Sequence, residues 1–166
     1  MFELERIATA SIPAALEKAE HYRLTGESAS AESICLDVLE VEPENQQGLI
    51  LLLLARTDQF TLGLPGQVAR ARETLPRLGS AYHRAYYGGI ICERQGQYQL
   101  RQRGKRSGFV AWEWFQHAME QYDEAKRLRE PGDDNPVLRW NSCARLIMRN
   151  PHCAPDPDQD SEHMIE

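Results

Sequence analysis

The chain has no pair of cysteines close enough to form a metal knuckle. Its four, Cys35, Cys92, Cys143 and Cys153, lie far apart with no CxxC spacing, whereas metal sites in loops usually draw two ligands from within a few residues. They are expected to be reduced and buried as small apolar side chains. His152 beside Cys153, in a proline-rich stretch, reads as chance adjacency. No metal or cofactor is expected. Long apolar runs are missing too: the longest, residues 49–55, is far too short to span a bilayer. The first ten residues, MFELERIATA, carry acidic side chains and no apolar h-region, so no secretory signal is expected. The reading is a cytoplasmic protein with no membrane partner. Catalytic signatures are absent: there is no phosphate-cradling glycine loop, no nucleophile elbow and no HExxH. His21, His83 and His117 are scattered, without an orienting partner near them in sequence. The chain is read as non-enzymatic.

What is present is an ordinary globular composition, 42% hydrophobic and 27% charged, in 166 residues with a net charge of −6. That length suits one domain with a continuous core, and the acidity disfavours a general nucleic-acid binder. Nothing reads as a strand, and almost everything before residue 150 reads as helix. Ser11 and Pro13 open a first helix that carries Ala15, Leu16, Ala19, Tyr22 and Arg23 to about residue 24, where Gly26 stops it. Ser28 or Ser30 caps a second helix, with Ile34, Val38 and Val41 on one stripe, and Pro43 ends it. A third, over about 44–60, contains LILLLLA and is apolar nearly all round, so it is buried on most sides or lines an apolar groove. A fourth follows Gly66 to about residue 78, and a fifth begins near Ala81. A sixth ends near Arg129 before the turn formers of EPGDDNP, and the last runs over about 135–148. From residue 150 the chain has three prolines and five acidic residues without Lys or Arg, the composition of an acidic, disordered tail over 150–166.

Short helices punctuated by Gly and Pro call for a repeat search. Gly26 is followed by Ala31, Cys35 and Pro43 at intervals of five, four and eight, and preceded by Ala15, Ala19 and Tyr22. This resembles a tetratricopeptide repeat, whose 34-residue signature places small residues where two helices approach closely. Ala19, Tyr22, Gly26, Ala31 and Pro43 match it, while Ala15, Lys18 and Cys35 depart from it. Gly89, Cys92, Gly96, Ala118, Tyr122 and Pro131 carry a further repeat; Gly66, Ala71 and Leu75 a degenerate middle one; Trp140 and Ala144 the start of a fourth. The resemblance covers residues 12–149. It implies an all-α fold of about seven helices, in antiparallel pairs stacked as a right-handed superhelix.

Gly26 to Ala31 is five residues but Gly96 to Ala118 is 22, an insertion of 17 over residues 97–113. Shared between two helices, that lengthens each by about two turns. The sequence therefore predicts a protruding hairpin with its turn at RGKRSG, where Gly104 and Gly108 break the helices. Trp112, Phe115, Met119 and Tyr122 form one stripe; Trp114, Ala118, Ala125 and Leu128 form another. Two apolar stripes on one helix mean packing on both sides, so most of these aromatics are expected in the core.

The resemblance further implies that the first helix of each repeat lines a concave groove for a peptide or helix of another protein. The groove positions are then Leu16, Glu20 and Arg23; Ile50, Leu54 and Thr57; Tyr86, Ile90 and Glu93; and Asn141 and Arg145. Some members of the family grip a partner's terminal carboxylate with Lys and Asn, and Leu16 and Glu20 do not repeat that pair. The centre reads as apolar, so a hydrophobic segment is the expected guest. Arg101, Arg103, Lys105 and Arg106 make a basic hairpin tip, open to three readings: a solvated turn, a site for an acidic partner or for this chain's acidic tail, or a weak, salt-sensitive contact with nucleic acid. The expected function is an adaptor or chaperone-like protein-binding module. The alternatives are a nucleic-acid-associated protein acting through the tip and a self-assembling structural module.

Overall fold

The computed structural model describes residues 2–157 and contains no strand among them. Seven α-helices follow in order: α1 Ile12–Leu24, α2 Ser28–Val41, α3 Gln46–Asp58, α4 Gln67–Arg72, α5 Ala81–Arg101, α6 Ser107–Leu128 and α7 Asn135–Arg149, with 3-10 turns at Thr9–Ser11, Gln59–Leu62 and Leu75–Arg77. No helix among the described residues is long and apolar enough to cross a membrane.

The helix ends have local causes. Pro13 falls in the first turn of α1, where its missing N–H has no intrahelical partner to lose. Ser11 does not cap that helix; it belongs to the 3-10 turn that runs straight into it. At the other end Glu27 N–H donates to the Tyr22 carbonyl and Gly26 N–H to Arg23, with Gly26 at φ +87°. This left-handed stop closes the last turn of α1 and needs a residue without Cβ. Asn45 caps α3 by accepting from Gly48 N–H at 2.8 Å, and Ser80 caps α5 by accepting from His83 N–H at 3.3 Å. Neither Ser28 nor Ser30 caps α2, which opens at Ser28 itself. The fourth helix is shorter than its sequence pattern predicts. Pro76 has no N–H to offer the Arg72 carbonyl and its ring would crowd that turn, so α4 stops after six residues. Thr74 Oγ1 donates to the Ala71 carbonyl at 2.7 Å instead.

Helices adjacent in sequence pair: α2 lies against both α1 and α3, α4 against α3 and α5, and α6 against α5 and α7; α1, α3 and α5 also touch side by side. The α5–α6 pair is the longest, with 21 and 22 residues against 13 and 14 in α1 and α2. Three clusters make the interior. Ile12, Leu16, Ala19, Cys35, Val38, Leu49 and Leu52 form the first, Leu53, Phe60, Ala71 and Ile91 the second. The third gathers Ile90, Cys92, Ala111, Phe115, Ala118, Tyr122, Cys143 and Cys153. Phe115 and Tyr122 are wholly buried, and Trp112, Trp114 and Met119 pack against the same cluster. The expectation that most of these α6 aromatics are core therefore matches the packing; Leu128, at the end of the second stripe, is exposed.

Buried polar groups link neighbouring pairs. Glu32 of α2 accepts from Arg56 Nε (3.0 Å), Arg70 Nη2 (2.6 Å) and Gln59 Nε2 (2.7 Å), joining α2, α3 and α4. Burial alone would raise its pKa, but the hydrogen bonds from Gln59 and Arg56, with the charges of Arg70 and Arg56, outweigh it and hold the carboxyl below its usual value of 4.5. A carboxyl depressed in the folded state stabilises the fold above its unfolded pKa, and that stabilisation is lost as pH falls through the folded one. Denaturant titrations should therefore show stability falling below about pH 4.5. Glu32→Gln should be less stable at neutral pH and show a shallower acid slope; an unchanged slope would remove Glu32 from that role.

The two adjacent glycines of α5 make a second test. A Cβ at Gly89 would sit 2.5 Å from the buried Tyr122 ring, whereas one at Gly88 meets the Gln121 amide oxygen at 3.1 Å, the end of a flexible side chain, and is otherwise at ordinary contact distances. Alanine favours a helix interior over glycine by about 1 kcal/mol, and overpacking costs about 1–3 kcal/mol. Gly88→Ala should be neutral or raise Tm, and Gly89→Ala should lower it, by thermal melts under identical conditions.

Candidate functional site

α1, α3 and α5 lie side by side, and side chains meet across their seams, with one from α7 reaching α5. Arg23 of α1 donates from Nη1 to Asp58 Oδ2 of α3 at 3.0 Å, while Arg94 Nη1 of α5 lies 3.4 Å from Asp58 Oδ1. One carboxylate thus holds two guanidinium groups. Further along, Glu93 of α5 accepts from Tyr122 Oη at 2.6 Å, Gln97 Nε2 at 3.1 Å and Arg139 Nη1 of α7 at 3.3 Å. Burial, together with the negative charge and hydrogen bond of Glu93, pushes the Tyr122 phenol upward. Burial by itself would weaken Arg139's hold on its proton, but Glu93 and a hydrogen bond with Tyr86 strengthen it. Tyr86 stacks on Tyr82 with centroids 5.9 Å apart and meets Tyr87 edge-on at 5.2 Å.

This geometry revises the list of groove residues. Leu16, Thr57, Ile90 and Glu93 are buried, at 5%, 2%, 2% and 1% exposure, and cannot meet a guest. Each falls in a seam where neighbouring helices close on one another: Leu16 in the first cluster, Ile90 in the third, Thr57 donating its hydroxyl to the Leu54 carbonyl at 2.9 Å. Ile50, Leu54, Tyr86 and Asn141 are half-buried, Arg23 is half-buried in its ion pair, and Glu20 and Arg145 are exposed. The expected centre is therefore not simply apolar: on α3, Ile50 and Leu54 are followed by Asp58, which is tied to Arg23 and Arg94. Asp58, Arg94 and Arg139 belong to the face and were not expected there. The available signal was their position, since Asp58 and Arg94 stand next in sequence to the expected Thr57 and Glu93.

The basic tip is also divided. The turn spans residues 102–106, and Arg101, Arg103, Lys105 and Arg106 are all exposed. Arg101, however, faces a small cavity shared with α3. Arg106 pairs with Asp156 and lies 5.9 Å from the Phe109 ring centroid. Gly108 does not break a helix but stands in the first turn of α6. A Cβ there would be 2.1 Å from the His152 carbonyl oxygen. Residues 150–157 accordingly lie against the hairpin, with Cys153 and Asp156 buried at 3% and 5% exposure. The expectation of a disordered tail fails for this part, because Gly108 leaves room for the backbone and the third cluster takes the cysteine. Residues 158–166 lie outside the described residues.

Burial pushes the Cys35 and Cys143 thiols up to about 12, and burial raises Cys92 and Cys153 as well, so none is a ready thiolate near neutral pH. Among the described residues no group of three or more His, Cys, Asp or Glu is placed to hold a metal ion. No family model, curated protein or solved structure matches the chain.

The tail contact yields a direct test. Gly108→Ala should displace residues 150–157 and speed thiol labelling of Cys153 severalfold, measured in a background where the other three cysteines are serine or alanine. Equal labelling rates would mean the segment does not depend on that slot.

Proposed function

We propose that the chain is a non-enzymatic protein-interaction module, adaptor-like or chaperone-like, holding a peptide or helix of another protein against the α1–α3–α5–α7 row as a tetratricopeptide-like stack does. The observation that carries this reading is the row itself. Ile50, Leu54, Tyr86 and Asn141, from three successive odd-numbered helices, remain half-exposed along it while the even-numbered helices cover other sides of the same cores. A row of this kind offers alternating apolar and charged contacts to an elongated guest. The tip favours nucleic acid less, because Arg106 is engaged by Asp156 and Arg101 turns toward α3.

The test starts from the tagged chain, purified from its native cell after nuclease treatment, with stoichiometric partners identified by mass spectrometry. Leu54→Glu would bury a charge between two clusters, so Leu54→Ala is the better probe. It should weaken the partner about tenfold, as expected for lost apolar contact, and the exposed Arg145→Glu should shift affinity without altering the melt. Undiminished binding by both variants would move the site off this row. A chain whose only stoichiometric companion is itself, with mass rising with concentration in light scattering, would assign it to self-assembly instead.

A further inference from the structure

Beside the half-exposed Leu54, the C-terminal end of α3 and the second half of α5 enclose a cavity of about 40 Å³ whose walls include Asp58, Arg94, Gln97, Tyr98 and Arg101. A cavity needs only about 10–15 Å³ on this measure to admit a water, so this one has room for a carboxylate head. Its charge is unusual for the molecule. Arg94 and Arg101 line it against the single carboxylate of Asp58, which Arg23 of α1 also holds, in a chain whose net charge is −6. Arg23 and Arg94 are already drawn to opposite oxygens of Asp58, and the Nε atom of each is buried with no hydrogen-bond partner. Arg101, at the end of α5, forms no ion pair among the described residues. Guanidinium forks match carboxylates in shape and remain charged at every physiological pH.

We infer that this cavity is a subsite for a side-chain carboxylate, and that the guest of the helix row is an internal acidic segment of a partner protein. The inference rests on the protein-binding reading above and replaces its purely hydrophobic guest. Two features select an Asp or Glu side chain over phosphate groups. Asp58 is part of the wall and repels a dianion more than a monoanion, and the overall negative charge works against a polyanion arriving as a whole. Spacing adds a specification. Leu54 and Ile50 lie four and eight residues before Asp58 on α3, about 6 and 12 Å along the helix axis. An extended chain advances about 3.3 Å per residue, so the acidic residue should have an apolar one about two to four positions away.

The probe is a labelled peptide of about ten residues, acetylated and amidated so that no terminal carboxylate is present, with Glu and Leu three positions apart; its Gln counterpart is the control. Anisotropy titrations should show the Glu peptide binding at least about tenfold more tightly, with the advantage shrinking as salt rises. Arg94→Gln together with Arg101→Gln should abolish the advantage, while Arg103→Gln with Lys105→Gln should leave it unchanged. Asp58→Asn, which removes the competing anion, should strengthen the Glu peptide severalfold; a role confined to bridging helices would lower Tm and leave peptide affinity unimproved. Equal binding of the Glu and Gln peptides, loss that follows Arg103 and Lys105, or stronger binding of an oligo-dT strand of similar length would each overturn the inference. If neither peptide binds but a captured partner is held equally by Arg94→Gln/Arg101→Gln, the carboxylate subsite is wrong and the protein-binding reading stands. If neither peptide nor any partner binds, both fall.

Discussion

The third helix is the constraint on which the rest of the molecule depends. Its run of leucines faces every direction: Leu49, Leu51 and Leu52 belong to the first cluster, Leu53 to the second, and Leu54 bridges the second and third. Full burial of one such side chain stabilises by about 1.5–3 kcal/mol, and a helix apolar on all sides gains that only if other helices surround it. α1 and α2 cover one side, α4 and α5 another. Tyr87 of α5, which touches all three clusters, closes the space between them. The stack is therefore a set of helix pairs gathered around a shared buttress.

Carboxylates in the seams add directional constraints to this non-directional packing. Glu32, Asp58 and Glu93 each reach arginines on neighbouring helices, and each partner would be left with an unpaired, poorly solvated charge if the helices shifted past one another. Glu32 and Glu93 are saturated, with three donors each. Asp58 differs because the carboxylate and Arg94 line a cavity to which Arg101 adds a further cation. The same kind of contact thus serves as a structural pin at two seams and as the proposed recognition element at the third. The difference follows from Arg101, which lines the cavity at Asp58 as an additional cation.

Helix boundaries were legible where a local rule had no competitor. Gly26 must stop α1 because only glycine takes the left-handed backbone there without strain, and Pro43 must follow α2 because it cannot continue it. Pro76 stood in the sequence as plainly, yet the reading ran the fourth helix to about residue 78, longer than the one that forms. Gly108 misled in the opposite sense. It looked like a breaker, and it is a slot for another segment's backbone, which depends on a carbonyl 44 residues later in the chain. The expected groove positions named helices and single residues on them. The rotation of each helix was not legible, and rotation decides that Thr57 and Glu93 are buried while Asp58 and Arg94 are partly exposed.

By itself the sequence determined that this protein is helical, where most helices begin and end, and that α3 and α6 must be covered on more than one side. These follow from backbone stereochemistry and hydrophobic periodicity, which act over a few residues. Tertiary structure alone decided that two arginines from different helices share Asp58, that Arg101 leaves the basic tip for the α3–α5 cavity, and that Cys153 returns to the core. Those outcomes depend on distances between residues tens of positions apart, as where the missing Cβ at Gly108 admits the His152 backbone, and no local pattern encodes them.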